Sequence, residues 1–265
     1  MTTLDLAYDE FGAAGAPVLV LHGLLGSARN WTTVARQLGE SHRVFVLDLR
    51  NHGRSPWAGS MSFDAMAGDV EHFADTHRLR SATVIGHSMG GKVAMRLALT
   101  RPDRVARLVM VDVAPVAYAH SFGPFVEAMA AVDLSTVRRR ADAELQIERT
   151  IRDPVVCNFL LQNLVKAEAG FVWRVNLEAL AANMAELLSF PPSDDTEYPG
   201  PALFVAGARS GYVKPEHRPL IARLFPNAEH ALIPGAGHWV HAERPTEFLA
   251  EVRLFLAEPP VRSTQ

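Results

Sequence analysis

Residues 84–91 read Val-Ile-Gly-His-Ser-Met-Gly-Gly, and this stretch decides the fold. An apolar, β-branched run stops at Gly86. Ser88 follows two positions later, and Lys92 to Leu99 then carry helical spacing. A strand, a sharp turn with serine at its apex and a helix form the context in which G-x-S-x-G marks a nucleophile. Such a turn lifts the Ser88 hydroxyl clear of the backbone and over the N-terminus of the following helix. The chain passes very close to itself there, so Gly86 and Gly90 are small for a steric reason. In a plain strand-to-helix turn, Ser88 would only cap the helix.

Outward from this turn, short continuous apolar runs alternate with helical patterns. Val18–Leu21, Val44–Leu47, Ala82–Ile85, Arg107–Val111, Leu203–Ala206 and Ala228–Ile233 read as strands, most of them buried on both faces. Leu4–Tyr8 alternates like an edge strand. Helices are expected over Trp31–Leu38, from Ser62 to about His77, over Pro215–Phe225 and over Thr246–Leu256. This order predicts an α/β fold with a mostly parallel twisted sheet flanked by helices. Between Ala114 and Tyr198 the strand pattern gives way to helical periodicity, with helices expected over Pro124–Ala131, Thr136–Thr150, Pro154–Lys166 and Asn176–Leu188. The expected division is therefore a core of residues 1–113 and 199–265 with a helical insertion at 114–198. A loop closes the insertion at Pro191–Asp195, and the tail from Pro259 is expected to fray.

Composition narrows the function. The chain has 265 residues, 48% hydrophobic and 21% charged, with a net charge of -3, so a polyanion partner is not indicated. Its one cysteine, Cys157, precludes an intrachain disulfide and reads as a core thiol. The sequence shows neither a signal-peptide pattern nor an apolar run of the ~18 residues a membrane helix needs, so a cytoplasmic location is expected. No phosphate loop, dinucleotide fingerprint or metal-ligand cluster appears, and no metal or other cofactor is expected.

Ligands of open α/β sheets bind beyond the carboxyl ends of the strands. His22, Asp48, Ser88, Asp112 and His238 all fall there. A serine needs a base, and the base needs an orienting acid. His238, on the last strand-to-helix turn, is the expected base; His87 neighbours the serine but should point away from it. His241 forms H-x-x-H with His238, a weak metal signal without a third ligand. The loop Gly207–Val213 holds no carboxylate, so Asp112, ending the strand beside the nucleophile strand, is the expected acid, with Asp194, Asp195 and Glu178 as outside alternatives. Asp48 reads as a brace for the loop carrying Arg50 and His52. Backbone N–H groups of Met89 and Leu24 are the expected oxyanion donors, and His22 should brace the Leu24 loop. Phe122, Phe125, Met129, Trp173 and Trp239 are the substrate-lining candidates, beside Phe159, Leu160 and Phe171, although each could simply pack the core of the insertion.

The motifs His22–Gly26, Asp48–Ser55, Gly86–Gly91 and Gly235–Trp239 together resemble the α/β-hydrolase superfamily over essentially the whole chain. Arg50–Gly53, Val111–Pro115, Trp173–Leu177 and Gly237–Glu243 are similar to its branch of small YbfF- and ABHD11-type esterases. The resemblance implies an α/β-hydrolase fold with a helical cap inserted after the sixth strand. It also implies cofactor-free hydrolysis of a small-molecule carboxylic ester or acyl thioester, and an acid on the strand after the nucleophile, at Asp112. Lactone or carbon–carbon bond hydrolysis, and a non-catalytic ligand-binding module, are the competing expectations. Ser88 in place of an aspartate argues against dehalogenase or epoxide-hydrolase chemistry.

Overall fold

A computed structural model describes residues 2–119, 122–168, 170–191 and 196–257. The loop expected at 192–195, with Asp194 and Asp195, and the tail from 259 lie outside the described residues.

The chain opens with β1 (Tyr8–Phe11) and β2 (Pro17–Leu21), then α1 (Thr32–Leu38) and β3 (Arg43–Leu47). α2 (Phe63–Thr76), β4 (Ala82–His87), α3 (Met89–Thr100) and β5 (Val105–Val111) complete the first half. The sheet resumes with β8 (Ala202–Gly207), α9 (Arg218–Leu224) and β9 (Ala228–Ile233), and the chain continues through α10 (Val240–Glu243) and α11 (Pro245–Ala257). The strands form one seven-stranded sheet in the order β1-β3-β2-β4-β5-β8-β9. Only the β1–β3 pair is antiparallel; the remaining pairs are parallel.

Apolar residues cover both faces, which is why these strands lack alternation. Leu19, Leu21, Phe45, Val84 and Met110 pack under α2 and α3, while Val18, Val20, Val46, Ile85 and Val109 pack against Trp31, Phe248 and Val252 on the opposite face. The edge strand sits later than the alternation at Leu4–Tyr8 implies. The Leu4 N–H is spent on Asp69 Oδ1 (2.8 Å) and the Ala7 N–H on Ser55 Oγ (2.8 Å), so side chains take the donors a ladder would use.

Between β5 and β8 lie α4 (Gly123–Ala130), α5 (Arg140–Ile147), α6 (Pro154–Leu161), the antiparallel hairpin β6 (Leu164–Ala167) and β7 (Gly170–Trp173), α7 (Leu177–Ala182) and α8 (Met184–Leu188). Two expectations are corrected here. The insertion follows the fifth strand in chain order, not the sixth, because a single antiparallel edge strand precedes β2. It is also not purely helical: the helix expected to reach Lys166 stops at Leu161, and the following residues pair Leu164 with Trp173 across the hairpin. Their short apolar-polar alternation is masked in sequence by the helical run before it. The Asn176 N–H donates to Asn51 O (2.9 Å) and Asn163 Nδ2 to Leu25 O (2.8 Å), tying the insertion to the core loops beneath it.

Those core loops hang on one buried ion pair. Arg50 reaches Asp69 through Nε (2.7 Å) and Nη2 (2.8 Å), with side chains 3% and 1% exposed. It spends further donors on the carbonyls of Ser60 and Ala65. Truncating one partner strands a desolvated charge, so Asp69→Ala should lower stability by about 3–5 kcal/mol in urea unfolding.

Candidate active site

Ser88 stands between β4 and α3 at φ 51° and ψ −116°, a backbone conformation that costs a non-glycine residue energy. Of the five described non-glycine residues at positive φ, Leu25, Asn51, Ser88 and Asp112 all lie in the loops beyond the strand ends; the fifth is Arg78. The elbow is as tight as the sequence implies. A Cβ on Gly90 would lie 2.5 Å from the carbonyl oxygens of Leu21 and His22, and one on Gly86 would lie 2.3 Å from Gly90 O.

The chain brings His238 and Asp112 together. His238 Nδ1 lies 2.7 Å from Asp112 Oδ2, so the imidazole donates to the carboxylate through Nδ1, and its Nε2 has no hydrogen-bond partner among the described residues. Asp112 has no solvent exposure. Its other donors come from the end of β8 and the loop beyond it: Gly207 N (3.1 Å) and Ser210 Oγ (2.5 Å). That loop, which holds no carboxylate, thus supplies a hydroxyl that orients one. The Tyr212 ring stacks on the imidazole at 3.8 Å and 15°. Glu243 accepts from the N–H groups of Gly237 (2.8 Å) and Trp239 (3.2 Å), clamping the turn on both sides of His238.

The His87 ring lies 4.6 Å from that of His238 and donates through Nε2 to the His238 carbonyl (2.9 Å), a contact with the base that the sequence does not predict. Burial first, then the neighbouring imidazoles, hold its pKa well below the ordinary histidine value, so it is a neutral prop. His241 is likewise buried, with a pKa lowered to about 3 by burial and His238, and stacks on Trp31 at 4.0 Å.

Asp48, expected to brace the loop that carries Arg50 and His52, bonds within it and also reaches the loop after β2, where His22 lies. The Leu49 N–H donates to His22 Nε2 (3.0 Å), and Asp48 accepts from the N–H groups of Ala28 and Arg54. The Leu25 N–H donates to His52 Nε2 (3.1 Å), whose pKa burial lowers to about 3. The N–H groups of Leu24 and Met89 have no hydrogen-bond partner among the described residues, and both residues line the space beside Ser88.

Above this floor opens a cavity of about 470 Å³, lined by Ser88, His238, Phe122, Phe125, Phe159 and Trp239 among others. Met129 and Trp173 are not among its lining residues. Met129 has no exposure and belongs to the core cluster, and Trp173 packs on the hairpin against that same cluster. Leu160 is likewise core, and Glu178 lies in the first turn of α7, while the carboxylate on His238 is that of Asp112. Sequence reading missed Ser210, Tyr212 and Glu243, whose roles depend on contacts across the sheet end. The best signal was their clustering in the β8 loop and in the residues just after His238.

Lys92, on α3, is 2% exposed. Its Nζ donates to the carbonyls of Leu188 (3.0 Å) and Ser189 (2.5 Å) at the end of α8 and sits 4.8 Å from the Tyr118 ring centroid. Burial pushes its pKa down to about 7. The unfolded chain therefore binds the proton more strongly between about pH 7 and 10, so this residue's contribution to stability rises with pH across that window. Unfolding free energies at pH 7 and pH 9.5 should show the rise in the wild type and a flatter profile in Lys92→Met.

The comparisons with known proteins bear on the family and the fold. Residues 16–245 match the family model described as alpha/beta hydrolase fold. The sn-1-specific diacylglycerol lipase ABHD11 of Xenopus tropicalis is 43% identical over 265 residues, covering 96% of this chain and 82% of that protein. Esterase YbfF of Escherichia coli strain K12 is 36% identical over 242 residues, covering 91% and 93%. Among solved structures, a marine microorganism esterase superposes with a TM-score of 0.93 at 37% identity, covering 96% of this chain and all of that one.

Proposed function

The chain belongs to the α/β-hydrolase family and is an ester-bond hydrolase, and from that premise we propose that Ser88, His238 and Asp112 form its catalytic triad. The observation that carries the assignment is the buried Asp112 carboxylate 2.7 Å from His238 Nδ1, with His238 and the strained Ser88 on the wall of one cavity.

The chemistry follows from these positions. His238 Nε2 takes the proton of Ser88 as Oγ bonds to the ester carbonyl carbon. The carbonyl oxygen becomes an oxyanion and accepts from the N–H groups of Leu24 and Met89, the latter at the positive end of α3. Collapse breaks the bond to the alkoxy oxygen, which leaves with the proton from His238. Water then attacks the acyl-serine, gives its proton to His238, and the carboxylic acid departs as Oγ recovers its proton. Asp112 keeps Nδ1 protonated and stabilises the imidazolium. A thioester would follow the same steps with a sulfur leaving group. Residues 114–198 serve as the cap over this site, with Phe122, Phe125 and Phe159 supplying apolar walls and Trp239 a wall beside the base.

Steady-state hydrolysis of p-nitrophenyl esters tests the roles. Ser88→Ala should abolish turnover without loss of folded structure, and full activity in that variant overturns the assignment. Asp112→Asn should lower kcat by about ten-thousandfold, because it no longer enforces the tautomer. Ser210→Ala removes a donor to that carboxylate and should lower kcat by roughly tenfold with KM little changed.

A further inference from the structure

The Tyr212 ring lies almost face to face with the imidazole of His238, centroids 3.8 Å apart and planes 15° apart. Two neutral rings avoid that arrangement, because their negative faces meet. A cation over a ring face is drawn to it. The imidazole is neutral as it meets the Ser88 proton and positive once it has taken it, so this contact strengthens as the transition state forms. We propose that Tyr212 is a positioning residue for the base: its ring fixes the plane of the His238 imidazole and its π face favours the imidazolium, with Tyr118 holding that ring in place. This rests on the triad reading above.

Tyr212 is held at both ends of its backbone. Its N–H donates to Ser210 Oγ (3.2 Å), the same hydroxyl that donates to Asp112. Its carbonyl accepts from the Tyr118 hydroxyl (3.0 Å), which in turn accepts from the Ala114 N–H (2.7 Å) beyond β5. The Tyr118 and Tyr212 rings pack with centroids 5.1 Å apart. Tyr118 is itself pinned: its N–H donates to Leu188 O (2.9 Å), a carbonyl that Lys92 Nζ also takes, and Lys92 sits over its ring. Residues from the two ends of the insertion therefore meet at the side chain that carries Tyr212. Burial first, then the Asp112 charge, push the Tyr212 phenol pKa up, so it meets the base as a neutral ring. The other described titratable groups beside His238 are Asp112, which takes Nδ1, and His87 and His241, both held neutral by burial. The rings of His87 and Trp239 are tilted from the imidazole by 45° and 54°, so among the described rings it is Tyr212 that stacks on it.

Steady-state hydrolysis of p-nitrophenyl acetate by the full chain and its folded variants tests the role. Tyr212→Leu keeps an apolar side chain and removes the ring face. Its kcat should fall by about tenfold to thirtyfold while KM stays within about twofold of the wild type. Tyr212→Phe restores the ring without the hydroxyl and should recover kcat to within about threefold of the wild type. A raised KM at unchanged kcat makes Tyr212 a substrate contact and overturns the proposal. So does wild-type kcat in Tyr212→Leu, or a Tyr212→Phe variant as slow as Tyr212→Leu. If Tyr212→Leu does not fold, Tyr118→Phe carries the test. It removes only the hydroxyl on the Tyr212 carbonyl and should lower kcat by about threefold at unchanged KM; wild-type kcat there overturns the proposal. Turnover that is lost in Ser88→Ala but kept in full by Tyr212→Leu defeats the positioning role alone. If no ester is hydrolysed and Ser88 resists acylating probes, the triad reading falls, and this proposal with it.

Discussion

A carboxylate without solvent exposure is tolerable only where donors replace its hydration. Asp112 has three: Gly207 N, Ser210 Oγ and His238 Nδ1, at 3.1, 2.5 and 2.7 Å. They come from the end of β8, the loop beyond it and the turn after β9, while Asp112 itself directly follows β5 at a positive φ of 52°. The register β4-β5-β8-β9 is what brings these groups within reach of one another. Loss of this pairing would leave a buried charge unpaired and free the last turn of the sheet, so stability and catalytic geometry rest on the same contacts.

A second constraint is the crowding at the elbow. Gly86, Gly90 and Gly91 let β4 and α3 press against the loop after β2, and that loop is pinned through His22, His52 and Asp48. Two of these pins are imidazoles held neutral by burial, each presenting Nε2 as an acceptor to a backbone N–H. The Leu25 N–H is thereby engaged while the adjacent Leu24 N–H stays available. In the proposed oxyanion hole, the donors are thus set as much by which neighbouring amides are already spent as by their own position.

These constraints explain what could be read in advance. The strand-end positions of Ser88, Asp112 and His238 follow from the alternation of apolar runs and helices, and the bracing roles of His22 and Asp48 from their place in the same loops. The part His87 plays is not legible in the sequence, because the turn its ring props lies at the far end of the chain. Ser210, Tyr212 and Glu243 escaped notice because nothing local distinguishes a serine, tyrosine or glutamate that will meet a histidine across the sheet end. In the insertion, the β6–β7 hairpin follows α6 so closely that its period is lost in the helical pattern, and Met129 and Trp173 pack inward instead of facing the cavity. Aromatic content alone does not tell wall from core where short helices surround a ligand space.

The central claim is that Asp112 activates Ser88 through His238. The most direct measurement is the rate of labelling by a fluorophosphonate probe, with the adduct located by peptide mass spectrometry, in the wild type and in folded Asp112→Asn. The account predicts a single adduct on Ser88 and a rate at least about a hundredfold lower in the variant. An adduct on another residue, or a variant labelled at the wild-type rate, would contradict it.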